Sequence, residues 1–243
     1  ENIDPKIYQQ MTDLEDNIKQ KLSLEIRHYC ADLQQAMHQL AYLDVLIAKA
    51  KLAKEMNFCK PQIVDKETSF TQLFNPQLKT ILEQSGKYFQ PIDICFGDYP
   101  TLITGINMGG KTVVLRTLAL VQYLCQFGFY LPASSAQVAL VDEILLSIDD
   151  SQNRLQGLSS FAAEMKIVDT ILQTIEHRKV LVLIDELART TNPAEGRVIV
   201  SALLYKKKKK NVKSFITTHY DNIVASCKRL KVKGLLPSIK SVD

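Results

Sequence analysis

The chain has 243 residues, 46% of them hydrophobic, and a formal net charge of +4, which is enough apolar content for a buried core. No apolar run reaches the roughly 18 residues that a membrane span needs, and the start ENIDPKIYQQ has neither a first methionine nor a signal-peptide pattern. The basic balance is local: residues 206–233 carry ten Lys or Arg against Asp221 alone, leaving −5 on the remainder, which argues against a broad nucleic-acid footprint.

A fragment of a longer protein, with no membrane partner, is therefore expected. Five scattered cysteines (Cys30, Cys59, Cys95, Cys125, Cys227) form no C-x-x-C pair and suit a reducing, cytoplasmic location.

Residues 6–57 contain no Gly and no Pro, and they place Met11, Leu14 and Ile18, then Leu33, Met37, Leu40, Leu43 and Ile47, at helical intervals. Two or three helices are expected over residues 1–60, the later one more apolar and therefore packed against something. Pro61, Pro76, Gly86 and Pro91 predict an irregular junction over 61–90. From residue 91 to 243 short β-rich runs alternate with helix patterns. TLITG (101–105) reads as a strand, 111–127 as a helix, VALVDEILLSI (138–148) as strand material and 161–177 as a helix. VLVLID (180–185) reads as a central strand, 194–205 as a helix and SFITTHY (214–220) as a strand. This alternation predicts a three-layer α/β domain with a largely parallel sheet, preceded by a helical segment.

GINMGGKT (105–112) has the spacing of a phosphate-binding loop between a strand and a helix. Gly105, Gly109 and Gly110 let backbone N–H groups, including those of Asn107, Met108 and Val113, turn on phosphates at a helix N-terminus. Lys111 is placed to reach the β- and γ-phosphates, and Thr112 to offer its hydroxyl to Mg²⁺. A Mg²⁺ site also needs a carboxylate at the tip of a neighbouring strand, which VLVLIDE supplies as Asp185, acting through water. Glu186 follows at once and is the candidate to orient the attacking water.

Three further segments follow in order: GLSSFAAEM (157–165), DELARTTNPAEG (185–196) and TTHY (217–220). Together with the loop they resemble the ATPase domain of the MutS family, a branch of the ABC-type P-loop NTPases, over residues 88–235. The resemblance implies an ATP- and Mg²⁺-dependent ATPase acting as a homodimer with two composite sites. Ser159 and Ser160 match the signature segment that reaches the opposite subunit's nucleotide. His219 matches the histidine that senses the γ-phosphate, and Gln152 the polar loop residue near the metal. Tyr88, Phe89 and Ile92 stand where the family packs adenine. Ile106, Asp149, Ala188 and Thr190 depart from the family pattern, replacing proline at the first and glycine at the others.

GGKTV followed by LRT, with PIDI, NPAEG and LDVLIAKAKLA, looks closer to the second bacterial MutS branch, and the continuous helical region leaves no room for a DNA clamp. The resemblance thus implies an ATPase of DNA mismatch repair or recombination control. It leaves two alternatives: a MutS-like ATPase remodelling a protein partner, such as a cobalamin-dependent aminomutase, and a nucleotide-dependent module that does not hydrolyse. The run YKKKKKNVK (205–213) reads as the solvated last turn of a helix, with a DNA phosphate patch as the other reading.

Overall fold

The computed structural model describes residues 4–105, 109–148, 160–174, 178–187, 192–209, 212–218, 223 and 226–232. The chain divides into two compact units, Glu1–Leu52 and Ala53–Asp243.

The first unit is helical. Helix α1 (Pro5–Arg27) starts where Asp4 accepts a hydrogen bond from Lys6 N, with Pro5 in the first turn, where its missing N–H costs nothing. Helix α2 (Cys30–Glu55) runs on from the first unit into the start of the second. No residue of α1 or α2 is buried. The expectation that the later helix is packed is therefore not met among the described residues: Leu33, Met37, Leu40, Leu43 and Ile47 all stand exposed. Leu40, Tyr42, Leu43, Val45, Leu46 and Ile47 follow one another too closely to fall on one narrow stripe of a helix.

The second unit is α/β. Its main sheet contains β4 (Pro100–Gly105), β6 (Glu143–Ser147), β7 (Val180–Ile184), β8 (Lys213–Thr217) and β9 (Lys228–Val232), in the order β6-β7-β8-β4-β9 with every pairing parallel. Strand β7 is buried along its whole length, as a strand covered on both faces must be. One face of the sheet, carrying Ile103, Leu181, Leu183 and Phe215, packs on Leu115 and Leu118 of helix α4 (Lys111–Gln126). The other face, carrying Leu102, Val182, Ile184 and Ile216, packs on α5 (Ser160–Thr174) and α6 (Pro193–Lys209) through Ile171, Val200, Leu203 and Leu204.

A smaller mixed sheet joins the first of these two cores. It is built from β1 (Gln62–Val64), β2 (Thr68–Leu73), β3 (Ile92–Phe96) and β5 (Ser135–Ala139), in the order β1-β5-β2-β3. Phe70, Ile94, Phe96, Ala136 and Val138 turn one face of it onto α4 and the main sheet. The stretch 61–90 is thus not irregular: it holds β1, β2 and a helix α3 (Pro76–Gln84). Pro76 is the reason the sequence misleads, since it sits in the first turn of α3 behind the N-cap Asn75, opening a helix rather than breaking one. The run 138–148 likewise splits, Val138 and Ala139 belonging to the small sheet and Glu143–Ser147 to the main one.

Candidate nucleotide site at the ends of the parallel strands

Strand β8 lies between β4 and β7, so the C-terminal ends of all three open on one place. In an open parallel sheet this is where ligands bind.

Strand β4 ends at Gly105, whose φ of +147° and closeness to β9 both demand glycine: an added Cβ would lie 2.7 Å from the carbonyl oxygen of Val232. The chain re-enters the described structure at Gly109. Gly110 is the left-handed N-cap of α4, with φ +96°, and no side chain caps the first turn. The positive end of the helix dipole is left facing the loop.

Lys111 opens α4 and is 4% exposed. Its Nζ donates to the carbonyl oxygen of Gly105 at 2.9 Å and stands 3.8 Å from a Glu186 carboxylate oxygen. The hydroxyl of Thr112 donates to Asp185 Oδ2 at 2.6 Å. Val113 uses its carbonyl to accept the hydroxyl of Thr117 within α4.

Asp185 directly follows β7 and is held there by its own N–H, which donates to the carbonyl of Ser147 at 2.8 Å. Its second oxygen, Oδ1, accepts from the hydroxyl of Thr217. The backbone N–H of Glu186 donates in turn to Thr217 Oγ1 at 2.8 Å. Glu186 has φ +48°, a left-handed conformation that costs a residue with a Cβ about 1–2 kcal/mol. The consequence is directional: the turn points one carboxylate at Thr112 and the next at Lys111.

Of the residues expected at the site, the structure brings together Gly105, Gly110, Lys111, Thr112, Asp185 and Glu186. Asn107, Met108, Gln152, Ser159 and His219 lie outside the described residues, as do Ile106, Asp149, Ala188 and Thr190. Ser160 is the first residue of α5. Tyr88 is 84% exposed, Phe89 is half-buried, and Ile92 packs against the core under the small sheet. Thr217 is the participant the sequence did not single out. The signal available in the sequence was a polar residue closing the apolar run Phe215–Ile216; that its strand lies between the loop strand and the acidic strand is a property of the fold.

A glycine-bounded loop between strand and helix, a buried lysine, and a threonine bonded to an aspartate at the tip of a parallel strand define a P-loop NTPase-like α/β domain. Residues 101–239 match the family model described as MutS domain V, and the chain belongs to the MutS family. It is 37% identical over 212 residues to an endonuclease MutS2 of Caldicellulosiruptor saccharolyticus, covering 86% of this chain and 26% of that protein. It is 33% identical over 227 residues to a DNA mismatch repair protein MutS of Lactobacillus delbrueckii subsp. bulgaricus, covering 92% and 26%. With a MutS2 of Lactobacillus helveticus the identity is 35% over 210 residues, covering 85% and 26%. The chain thus spans about a quarter of the length of these curated relatives. No helix among the described residues is long and apolar enough to cross a membrane.

Proposed function

We propose that this chain binds ATP with Mg²⁺ at the ends of β4, β7 and β8 and hydrolyses it to ADP and phosphate. The observation that carries the reading is the pairing of Thr112 with Asp185 beside the pairing of Lys111 with Glu186. Thr112 and Asp185 offer oxygen only, which suits a hard cation such as Mg²⁺. That ion, when bound, neutralises charge on the β- and γ-phosphates.

The residues divide the remaining work. Gly105, Asn107, Met108, Gly109, Gly110 and Val113 form the phosphate cradle with the first turn of α4. Lys111 exchanges its contact with the Gly105 carbonyl for phosphate oxygens. Glu186 orients the attacking water and takes its proton, and His219 senses the γ-phosphate. Tyr88, Phe89 and Ile92 flank the base, and Gln152 assists near the metal.

Two chains form a homodimer in which Ser159 and Ser160 of each reach the other's nucleotide. Residues 1–60 act as a helical lever or connector and 91–243 as the ATPase domain, to whose small sheet β1 and β2 of 61–90 belong. The relatives' names, endonuclease MutS2 and DNA mismatch repair protein MutS, support a reading of work on DNA in mismatch repair or recombination control. In that reading the chain acts in the manner of the second MutS branch, with DNA contacts made mainly outside it. Sedimentation of Glu186→Gln with and without ATP tests the dimer: ATP should convert monomer to dimer. A protein that binds ATP and stays monomeric contradicts the composite site.

A further inference from the structure

We propose that Thr217 is a positioning residue that sets both carboxylates of the site through one hydroxyl, an assignment that rests on the reading of this site as an ATPase. Thr217 is the last residue of β8 and has no exposed surface. Its place follows from topology: β8 is the strand between the loop strand β4 and the acidic strand β7, and Thr217 pairs in register with Ile103, two residues before Gly105.

The hydroxyl has one proton and makes two hydrogen bonds. It accepts from the backbone N–H of Glu186 and donates to Asp185 Oδ1. The amide can only donate, so the proton of the hydroxyl is committed to Asp185. Asp185 is thereby held from two sides, by Thr112 on Oδ2 and by Thr217 on Oδ1. Whatever Thr112 engages when the site is loaded, Thr217 keeps its hold on Oδ1 and with it the direction of the carboxylate.

The second bond acts on Glu186. Its left-handed backbone is unfavourable for a residue with a Cβ, and the Glu186 N–H bond to Thr217 is a tie on that turn. Valine in place of Thr217 keeps the shape and removes both bonds. Asp185 then loses a donor, and the Glu186 amide loses this acceptor.

The test compares wild type, Thr217→Val, Thr217→Ser and, as the baseline without the catalytic carboxylate, Glu186→Gln. Partners of this kind, which act through a ligand rather than on the substrate, are worth about 10- to 100-fold. Thr217→Val should lower kcat by about that factor while the KM for ATP moves by less than about threefold. Mn²⁺ binding to the ATP-loaded protein, read from free Mn²⁺ by electron paramagnetic resonance, should weaken by about 10-fold or more. Thr217→Ser should restore both. If Thr217→Val does not fold by circular dichroism, Thr217→Ala carries the same expectations. Wild-type Mn²⁺ affinity in the variant overturns the proposal. So does a serine variant as impaired as the valine one, which assigns the effect to packing of the methyl group. Wild-type turnover no faster than Glu186→Gln defeats the hydrolytic reading instead, and the Mn²⁺ comparison still decides for or against Thr217.

Discussion

The Nζ of buried Lys111 stands 3.8 Å from a carboxylate oxygen of Glu186, so the loop lysine and the strand-end glutamate face each other across the mouth of the site. A phosphate entering there competes with Glu186 for the same ammonium. Lys111 is the one member of this pair held almost wholly away from water, at 4% exposure.

Lys111→Ala should therefore weaken ATP binding by about 10- to 100-fold, the worth of a hydrogen bond to a charged group. Titration with a fluorescent ATP analogue measures it. Affinity within a factor of about two of wild type would show that the ammonium does not contact phosphate.

Glu186 gives a prediction about stability that is separate from catalysis. Glu186→Ala and Glu186→Gly both remove the carboxylate, but only alanine keeps a Cβ at φ +48°. The glycine variant should be the more stable of the two by about 1 kcal/mol in denaturant unfolding, although glycine usually loses to alanine. An alanine variant of equal or greater stability would mean that the left-handed turn is not kept.

Gly105 makes the opposite case. A Cβ there would meet the Val232 carbonyl at 2.7 Å, and β9, paired to β4 along five residues, must move to make room. Gly105→Ala should cost about 1–3 kcal/mol in the same unfolding measurement.

The inner strands of the main sheet, β4, β7 and β8, were legible because they are buried over most of their length, VLVLI above all reading as a continuous apolar run. The site was legible where chemistry is written in adjacent letters: GKT, then DE. Two things were not. The small sheet is built from short strands in which one or two apolar residues do the packing, Phe70 and Leu73 in β2 and Ile94 and Phe96 in β3, a pattern too sparse to stand out among prolines. Thr217 was hidden for another reason, since its importance comes from β8 lying between β4 and β7, and strand order is a property of the folded sheet.

The cysteines offer a chemical check on the fold. Burial pushes the thiols of Cys59, Cys125 and Cys227 above the usual cysteine range, so near neutral pH each carries less reactive thiolate than an ordinary cysteine. Cys30 and Cys95 are exposed. Brief iodoacetamide treatment of the native protein should label Cys30 and Cys95 first, as read by peptide mass spectrometry. Raising the pH should bring in the other three late. Early labelling of Cys125, on the buried face of α4, would contradict that core.

The most direct test of the central claim is steady-state phosphate release by the purified protein with ATP and Mg²⁺, wild type against Glu186→Gln. The amide keeps the shape of the side chain and removes the base, so turnover should fall by about 100-fold or more while ATP still binds. Equal phosphate release from the two proteins would contradict the account, because Glu186 would then have no part in the chemistry.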